Sequence, residues 1–171
     1  MRPEGLLGSG GVACVVEILG AYGPAWNPEA RLAVVPSLGD IQLLDARLVC
    51  GRDHLIAAGE HAERAMREGT AVAKSLPVEL VVYASGERQI NEAIAKMGIR
   101  DDTTEFAVVH FGGDLALALE ALRLTRDDAV LSVTPAKLRS FGLTEAELST
   151  VPPERQTDLV LERVALVDLL K

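Results

Sequence analysis

Residues 84–90, with the sequence ASGERQI, are the part of the chain best suited to bind a ligand. We predict a strand that ends at Ser85 and Gly86 and opens directly into a helix. The free backbone amides of such a helix start favour an anion such as phosphate. Arg88 and Gln89 follow, and guanidinium and amide groups can contact phosphates or base edges. The alternative is that Ser85 serves only as the N-cap of the helix.

The histidines and cysteines form no catalytic or metal-binding pattern. His54 and His61 are seven residues apart on one predicted helix, about 10 Å along its axis, which is too far to bind one ion together. We predict that Cys14, Cys50 and His110 lie in apolar strands, where a thiol is inert. The sequence contains no GxSxG, HExxH or GxxxxGK motif. We therefore predict that the chain is not an enzyme and needs no metal or cofactor.

Residues 159–170 form a predicted helix with more apolar surface than a single buried face requires. Apolar residues occupy most of its circumference, whereas a surface helix needs one apolar stripe. The helix either lies at the centre of the fold or covers a partner with part of its surface. Both alternatives are open, because an exposed apolar patch commonly marks an interface.

Short elements must position these segments. We predict strands over residues 12–19, 41–46, 78–83 and 106–111, and a helix from an N-cap at Asp53 to a stop at Gly69. Further helices are predicted at residues 85–98, 115–124, after a capping box formed by Thr144 and Glu147, and from about 152 to 169. Strand, helix and strand between residues 78 and 111 predict a βαβ unit with parallel strands.

The predicted fold is a single α/β domain over residues 12–171, with a central mixed sheet and helices packed against it. Residues 1–11 are predicted to be a loose tail. With 171 residues, 49% of them hydrophobic and 25% charged, the chain is typical of one globular domain. No apolar run reaches the roughly 18 residues needed to cross a bilayer. Two isolated cysteines and no signal peptide favour a cytoplasmic protein.

The charge is unevenly distributed along the chain. A formal net charge of −8 argues against nonspecific affinity for nucleic acid over the whole surface. Residues 47–100 carry eight basic and seven acidic side chains, whereas the rest of the chain carries nine and eighteen. A basic surface can therefore assemble only from this middle segment, and we expect it to lie apart from the apolar helix.

Two segments resemble the kinase-binding small subunit of the KEOPS (EKC) complex. They are residues 53–62, which contain DHLI and EHA, and residues 73–90, with the sequence AKSLPVELVVYASGERQI. The eukaryotic counterpart of this subunit is known as the PRPK-binding protein. A weaker likeness continues through residues 141–148, so the resemblance covers most of the chain after about residue 41. The ASGxRQI segment is its most specific part.

The resemblance implies a noncatalytic role in making threonylcarbamoyl-adenosine beside the anticodon of tRNA. In that family the subunit binds the small atypical kinase of the complex, which acts as an ATPase. Archaeal members also hold the tRNA acceptor end with its CCA. Carried over to this chain, the tRNA surface comprises Lys74, Ser85, Gly86, Arg88 and Gln89, with Arg52 and Lys96 as further contributors. For the kinase interface we select Leu159, Leu166 and Leu170.

Two other functions remain open from the sequence. One is a small enzyme that binds a phosphate-containing ligand at the predicted Ser85-Gly86 helix start. The other is a purely structural adaptor without RNA contact. For RNA itself we expect backbone contacts and a stacked terminal base on Tyr83, an arginine plane or an aliphatic surface.

Overall fold

Four strands form one sheet in the computed structural model, which describes residues 14–35 and 41–171. The strands are Glu17–Tyr22 (β1), Ile41–Asp45 (β2), Glu105–His110 (β3) and Thr125–Arg126 (β4). Their order is β2-β3-β1-β4, and every pairing is antiparallel. Val108 of β3 lies opposite Leu19 on one side and Leu43 on the other.

Eight α-helices are present in the described part of the chain. They are Pro28–Leu32 (α1), Arg52–Glu68 (α2), Leu76–Ser85 (α3), Ile90–Met97 (α4), Leu115–Ala121 (α5), Pro135–Phe141 (α6), Glu145–Leu148 (α7) and Gln156–Leu170 (α8). Short 3-10 turns cover Ala46–Leu48, Asp128–Leu131 and Pro153–Arg155.

The strands alternate their side chains between two apolar cores. Ile18, Leu44 and Val109 face the larger core, which is built from α2, α3, α4 and α8. Leu19 and Val108 belong to a second core that contains residues of α5. Both faces of the sheet are therefore covered. The predicted class, an α/β domain with helices packed against a central sheet, is confirmed.

Several predicted elements are confirmed. Strands β2 and β3 lie where expected, and α2 carries Asp53 in its first turn, although Gly51 is its N-cap. Gly69 ends α2 in the left-handed conformation, with φ 73°. Thr144 and Glu147 form the predicted capping box at the start of α7.

The predicted strand over residues 78–83 is wrong, because this segment is helix α3. Ser75 is its N-cap and Pro77 lies in its first turn, where the missing N–H costs no hydrogen bond. Nearly every residue of α3 is buried, and a helix covered on all sides shows the same continuous apolar run as a buried strand. The βαβ unit and the mixed sheet are therefore also wrong, since the described sheet is antiparallel throughout.

The amino-terminal predictions are tested only in part. Strand β1 begins at Glu17 and ends at Tyr22, later than the predicted strand over residues 12–19. The predicted strand positions of both cysteines are wrong: Cys14 is exposed and precedes β1, and Cys50 is buried but lies in the loop before α2. The predicted tail over residues 1–11 and the start of the domain at residue 12 lie outside the described residues.

His54 joins the larger core to a third, smaller cluster that contains Cys50 and Phe141. Its Nδ1 accepts a hydrogen bond from the Cys50 amide at 3.1 Å, and its Nε2 donates to the carbonyl of Ala84 at 2.7 Å. The ring packs edge-on against Phe141, with the centroids 5.1 Å apart. Because both ring nitrogens are occupied and the residue is fully buried, His54 has a structural role.

Acidification should destabilise the fold through His54. Burial lowers its pKa from 6.5 to about 4, so the unfolded chain takes up this proton at a higher pH than the folded chain does. The stability contributed by neutral His54 is present above pH 6.5 and is lost as the pH falls towards 4. We expect this histidine to lower the free energy of unfolding by about 2 kcal/mol between about pH 7 and pH 5, measured by urea unfolding.

The variant His54→Gln serves as the control. It should be less stable than the unmodified protein at neutral pH, because a buried hydrogen-bonding ring is lost. Its free energy of unfolding should then fall less steeply on acidification, since residue 54 no longer titrates. Equal slopes for both proteins would contradict the role of His54.

Candidate interaction surfaces

The turn after α3 presents a helix end where a helix start was predicted. Ser85 is the last residue of α3, and Gly86 caps it in the left-handed conformation, with φ 73°. The Ser85 hydroxyl donates to the carbonyl of Val82 at 2.8 Å and accepts from the Glu87 amide at 3.0 Å. A helix carboxyl end carries partial negative charge and repels anions. The predicted anion site at Ser85-Gly86 is therefore wrong, and the phosphate-ligand enzyme loses its structural basis.

Lys96 stabilises this turn. Its ammonium group donates to the carbonyl of Ser85 at 2.7 Å and lies 3.5 Å from the carboxylate of Glu87. It also lies 4.3 Å from the centre of the Phe141 ring. Burial lowers the pKa of Lys96. The positive charge thus compensates the end of α3.

The start of α4 lies a few residues after Ser85. Gln89 is the N-cap of α4, and among the described residues its side chain makes no capping hydrogen bond, so the first amides of α4 lack a side-chain cap and favour an anion. Arg88 and Gln89 are exposed beside them. Within the described residues Arg88 makes no hydrogen bond or ion pair. The anion-binding argument therefore applies to α4.

The structure does not gather all seven predicted tRNA residues. Ser85, Gly86, Arg88, Gln89 and Lys96 lie at or around the α3–α4 turn, although the Ser85 side chain is fully buried. Lys74 precedes α3, at the opposite end of this ten-residue helix, about 15 Å away along its axis. Arg52 lies at the start of α2, in a cleft that is also lined by Glu60 and Glu63.

Helix α8 buries one stripe of side chains and exposes another, so it is not wholly internal, and a partner on its exposed side stays a prediction. Val160, Val164 and Val167 are fully buried. Leu166 and Leu170 are 39% and 49% exposed. Leu159 is half-buried against the cluster around Phe141. The seven- and four-residue spacings place these three leucines on one side of α8.

One exposed leucine was missed by the sequence reasoning. Leu169 is 79% exposed, the most exposed large apolar residue in the described part of the chain. It lies beside Leu166 and Leu170 and extends their apolar patch. The signal was the run of two leucines after Asp168, which a single-stripe helix does not need.

Polar contacts hold the end of α8 against α2 and α3. Asp168 accepts a hydrogen bond from the Tyr83 hydroxyl at 2.5 Å and pairs with Arg64 at 2.7 Å. Nδ1 of His61 lies 2.9 Å from the same carboxylate. Burial, followed by the hydrogen bond to Asp168, raises the pKa of Tyr83, so the hydroxyl remains a donor. These contacts set the rotation of α8.

A buried ion pair strengthens the same attachment. Glu79 is fully buried and accepts hydrogen bonds from the amides of Val72 and Ala73 at 3.1 and 2.8 Å. The ammonium group of Lys171 binds its other carboxylate oxygen and donates to the Tyr83 hydroxyl at 2.8 Å. The sequence signal for this pair was an acid within an otherwise apolar run.

The two candidate surfaces are neighbours, which corrects the expected separation. A Cβ placed on Gly86 would lie 3.5 Å from the Cβ of Arg163. Arg163 lies on α8 between Leu159 and Leu166 and pairs with Glu147. The α3–α4 turn therefore borders the leucine stripe of α8.

Within residues 14–35 and 41–171, none of the helices combines the length and the apolarity needed to cross a membrane. That same part of the chain contains no group of three or more His, Cys, Asp or Glu side chains placed to hold a metal ion.

Two comparisons relate the chain to known proteins. The sequence model of a family described as "Kinase binding protein CGI-121" matches residues 35–167. The "Regulatory protein Cgi121" of Methanocaldococcus jannaschii is 29% identical over 140 residues, which covers 76% of this chain and 84% of that protein. The family match includes the α3–α4 turn and most of α8.

The variant Lys171→Met should loosen α8. It leaves the buried carboxylate of Glu79 without its cation, which costs roughly 3 kcal/mol of unfolding free energy. Urea unfolding measures this loss, and hydrogen exchange should become faster in the last turns of α8.

Arg155→Met is the matched control at the other end of the helix. Arg155 pairs with Asp158, and their side chains are 67% and 51% exposed, so the loss should stay below about 1 kcal/mol. Equal losses in the two variants would show that the Glu79–Lys171 pair does not anchor α8.

Proposed function

The chain belongs to the CGI-121 family of kinase-binding proteins, and from this membership we propose that it is a noncatalytic subunit that binds a small atypical kinase through α8. The observation that carries this proposal is the exposed leucine stripe of α8. As in the KEOPS complex, the kinase would act as an ATPase, and this chain would hold it. We propose a cytoplasmic location.

The outer side of α8 has the properties of a docking surface. Leu166, Leu169 and Leu170 expose apolar side chains next to one another, whereas the valines on the opposite side of the helix are buried in the core. The contacts of Asp168 and Lys171 hold the helix in one orientation, so a partner meets a preformed surface and loses less entropy on binding. An apolar helix face that packs into a groove is a recurrent mode of protein recognition.

The buried side chains of His54 and Cys50 support a noncatalytic role. His54 uses both ring nitrogens within the fold. Burial raises the pKa of the Cys50 thiol to about 11, so this cysteine is a poor nucleophile at neutral pH. Neither group is available to a substrate.

We further propose that the α3–α4 turn docks the acceptor end of tRNA for threonylcarbamoyl-adenosine modification. Arg88 and Gln89 are exposed at the uncapped start of α4, where free amides and a guanidinium group favour a phosphate. Lys96 stabilises the turn through the hydrogen bond from its ammonium group to the carbonyl of Ser85. Lys74 and Arg52 would contact only more distant parts of the RNA.

The variant Leu166→Glu should abolish kinase binding without unfolding the chain. A carboxylate placed in an apolar interface loses its hydration without a partner, so the Kd for the kinase should rise by at least about tenfold. Co-purification and calorimetry measure binding, and circular dichroism checks the fold.

Leu117→Glu is the matched control for this experiment. Leu117 is a 54% exposed leucine on α5, a helix of the second core. Its replacement should leave the affinity unchanged. Full binding by Leu166→Glu would remove α8 as the interface, and nucleotide turnover by the isolated chain would contradict the noncatalytic role.

The variant Arg88→Glu should weaken tRNA binding because it replaces an unpaired cation with an anion beside the helix start. A gel shift with intact tRNA and with tRNA lacking its CCA measures the effect, and both changes should reduce binding by about tenfold or more. Arg67→Glu is the control, since Arg67 is exposed and makes no ion pair within the described residues but lies in the last turn of α2. If neither Arg88→Glu nor the missing CCA changes tRNA binding, the chain is a structural adaptor without RNA contact.

A further inference from the structure

Arg31 is a buried cation in the short helix α1. The residue is 1% exposed, and one of its terminal nitrogens donates to the carbonyl of Pro24 at 2.8 Å. Its guanidinium carbon lies 4.5 Å from the centre of the Phe106 ring and 5.2 Å from that of Trp26. Among the described residues, its Nε has no hydrogen-bond partner. The side chain is therefore held by aromatic rings and one carbonyl.

No carboxylate pairs with Arg31 in the described part of the chain. Buried charges in proteins are normally paired, because a guanidinium group loses its hydration on burial. Burial, and then the positive charge of Arg123, lower the pKa of Arg31. Among residues 14–35 and 41–171, Arg31 is thus a buried cation without a compensating carboxylate, although the net charge of the chain is −8. An external anion would supply the missing charge.

Arg123 brings a second unpaired guanidinium group to the same aromatic ring. Its guanidinium carbon lies 4.9 Å from the centre of Trp26. The residue is exposed, and no acid pairs with its side chain within the described residues. Two positive charges therefore converge on one tryptophan.

The backbone holds Arg123 in an unusual conformation. With φ 57° it is the one residue other than glycine with a positive φ in the described part of the chain. A Cβ added to Gly23 would lie 2.5 Å from the carbonyl oxygen of Arg123, so the two segments are pressed together. Strained backbone of this kind is often found at ligand sites.

We propose that Arg123, Trp26 and Arg31 form a binding site for a phosphate group. Arg123 contacts the phosphate oxygens at the surface, and Arg31 adds a fixed positive charge beneath the ring, where water screens it little. A phosphate carries enough negative charge to balance two guanidinium groups, and its oxygens fit the forked N–H donors of Arg123. A single carboxylate balances only one of them.

This site lies apart from the proposed kinase and tRNA surfaces. Trp26 and Arg31 precede residue 35, where the family match begins, and neither belongs to α8 or to the α3–α4 turn. Loss of phosphate binding would leave the proposed kinase and tRNA binding unchanged. Loss of kinase or tRNA binding would likewise leave phosphate binding unchanged.

The single tryptophan of the chain provides the measurement. Titration of the full chain with inorganic pyrophosphate at constant ionic strength should change the Trp26 fluorescence in a saturable way. Arg123→Gly should raise the apparent Kd by about tenfold or more. Its fold should persist, because glycine adopts positive φ without strain.

Arg123→Gln keeps a side chain at this position and should lose binding in the same way, whereas Arg67→Gln should bind normally. A short single-stranded RNA that competes with pyrophosphate would identify a nucleic-acid phosphate as the source, and binding of pyrophosphate alone would identify a free phosphoryl compound. The proposal is overturned if no saturable change occurs, if both Arg123 variants bind normally, or if polyglutamate binds and pyrophosphate does not.

Discussion

The polar groups of α3 must find their partners inside the protein, because this helix is buried on nearly every side. The partners come from the neighbouring helices α2 and α4 and from α8 with the residue that follows it, which is distant in the sequence. They are His54 for the carbonyl of Ala84, Lys96 for the carbonyl of Ser85, Asp168 for the hydroxyl of Tyr83 and Lys171 for the carboxylate of Glu79. The hydrogen-bond requirements of this one helix therefore determine where three other helices lie.

The outer surface follows from this constraint. Once Asp168 and Lys171 hold the end of α8 against α3, its valines face the core and its leucines face outward. The carboxyl end of α3 also forms the turn that carries Arg88, and Gly86 of this turn lies against Arg163 of α8. In this proposal the kinase and the tRNA would bind to one continuous surface. They would be close enough to contact each other across Arg163.

Ion pairing decides which positive charges are available to a ligand. In the basic middle segment, Arg47 pairs with Asp45 and Asp102, and Arg64 pairs with Asp168. These guanidinium groups support the fold. Against a net charge of −8, the cations that have no ion-pair partner among the described residues are local sites, because the remaining surface repels polyanions. Specific binding is therefore favoured over nonspecific attraction.

The sequence by itself determined the elements with local signals: the α2 helix, strands β2 and β3, and the Thr144–Glu147 capping box, whose residues interact within one turn. It misassigned α3, since a helix buried all round and a buried strand share one apolar pattern. Only the tertiary structure decided the Glu79–Lys171 pair, the exposed stripe of α8 and the rings around Arg31. The Glu79–Lys171 pair and the contact of Arg31 with Phe106 join residues distant in sequence, and burial depends on what packs against a segment, which its own residues do not encode.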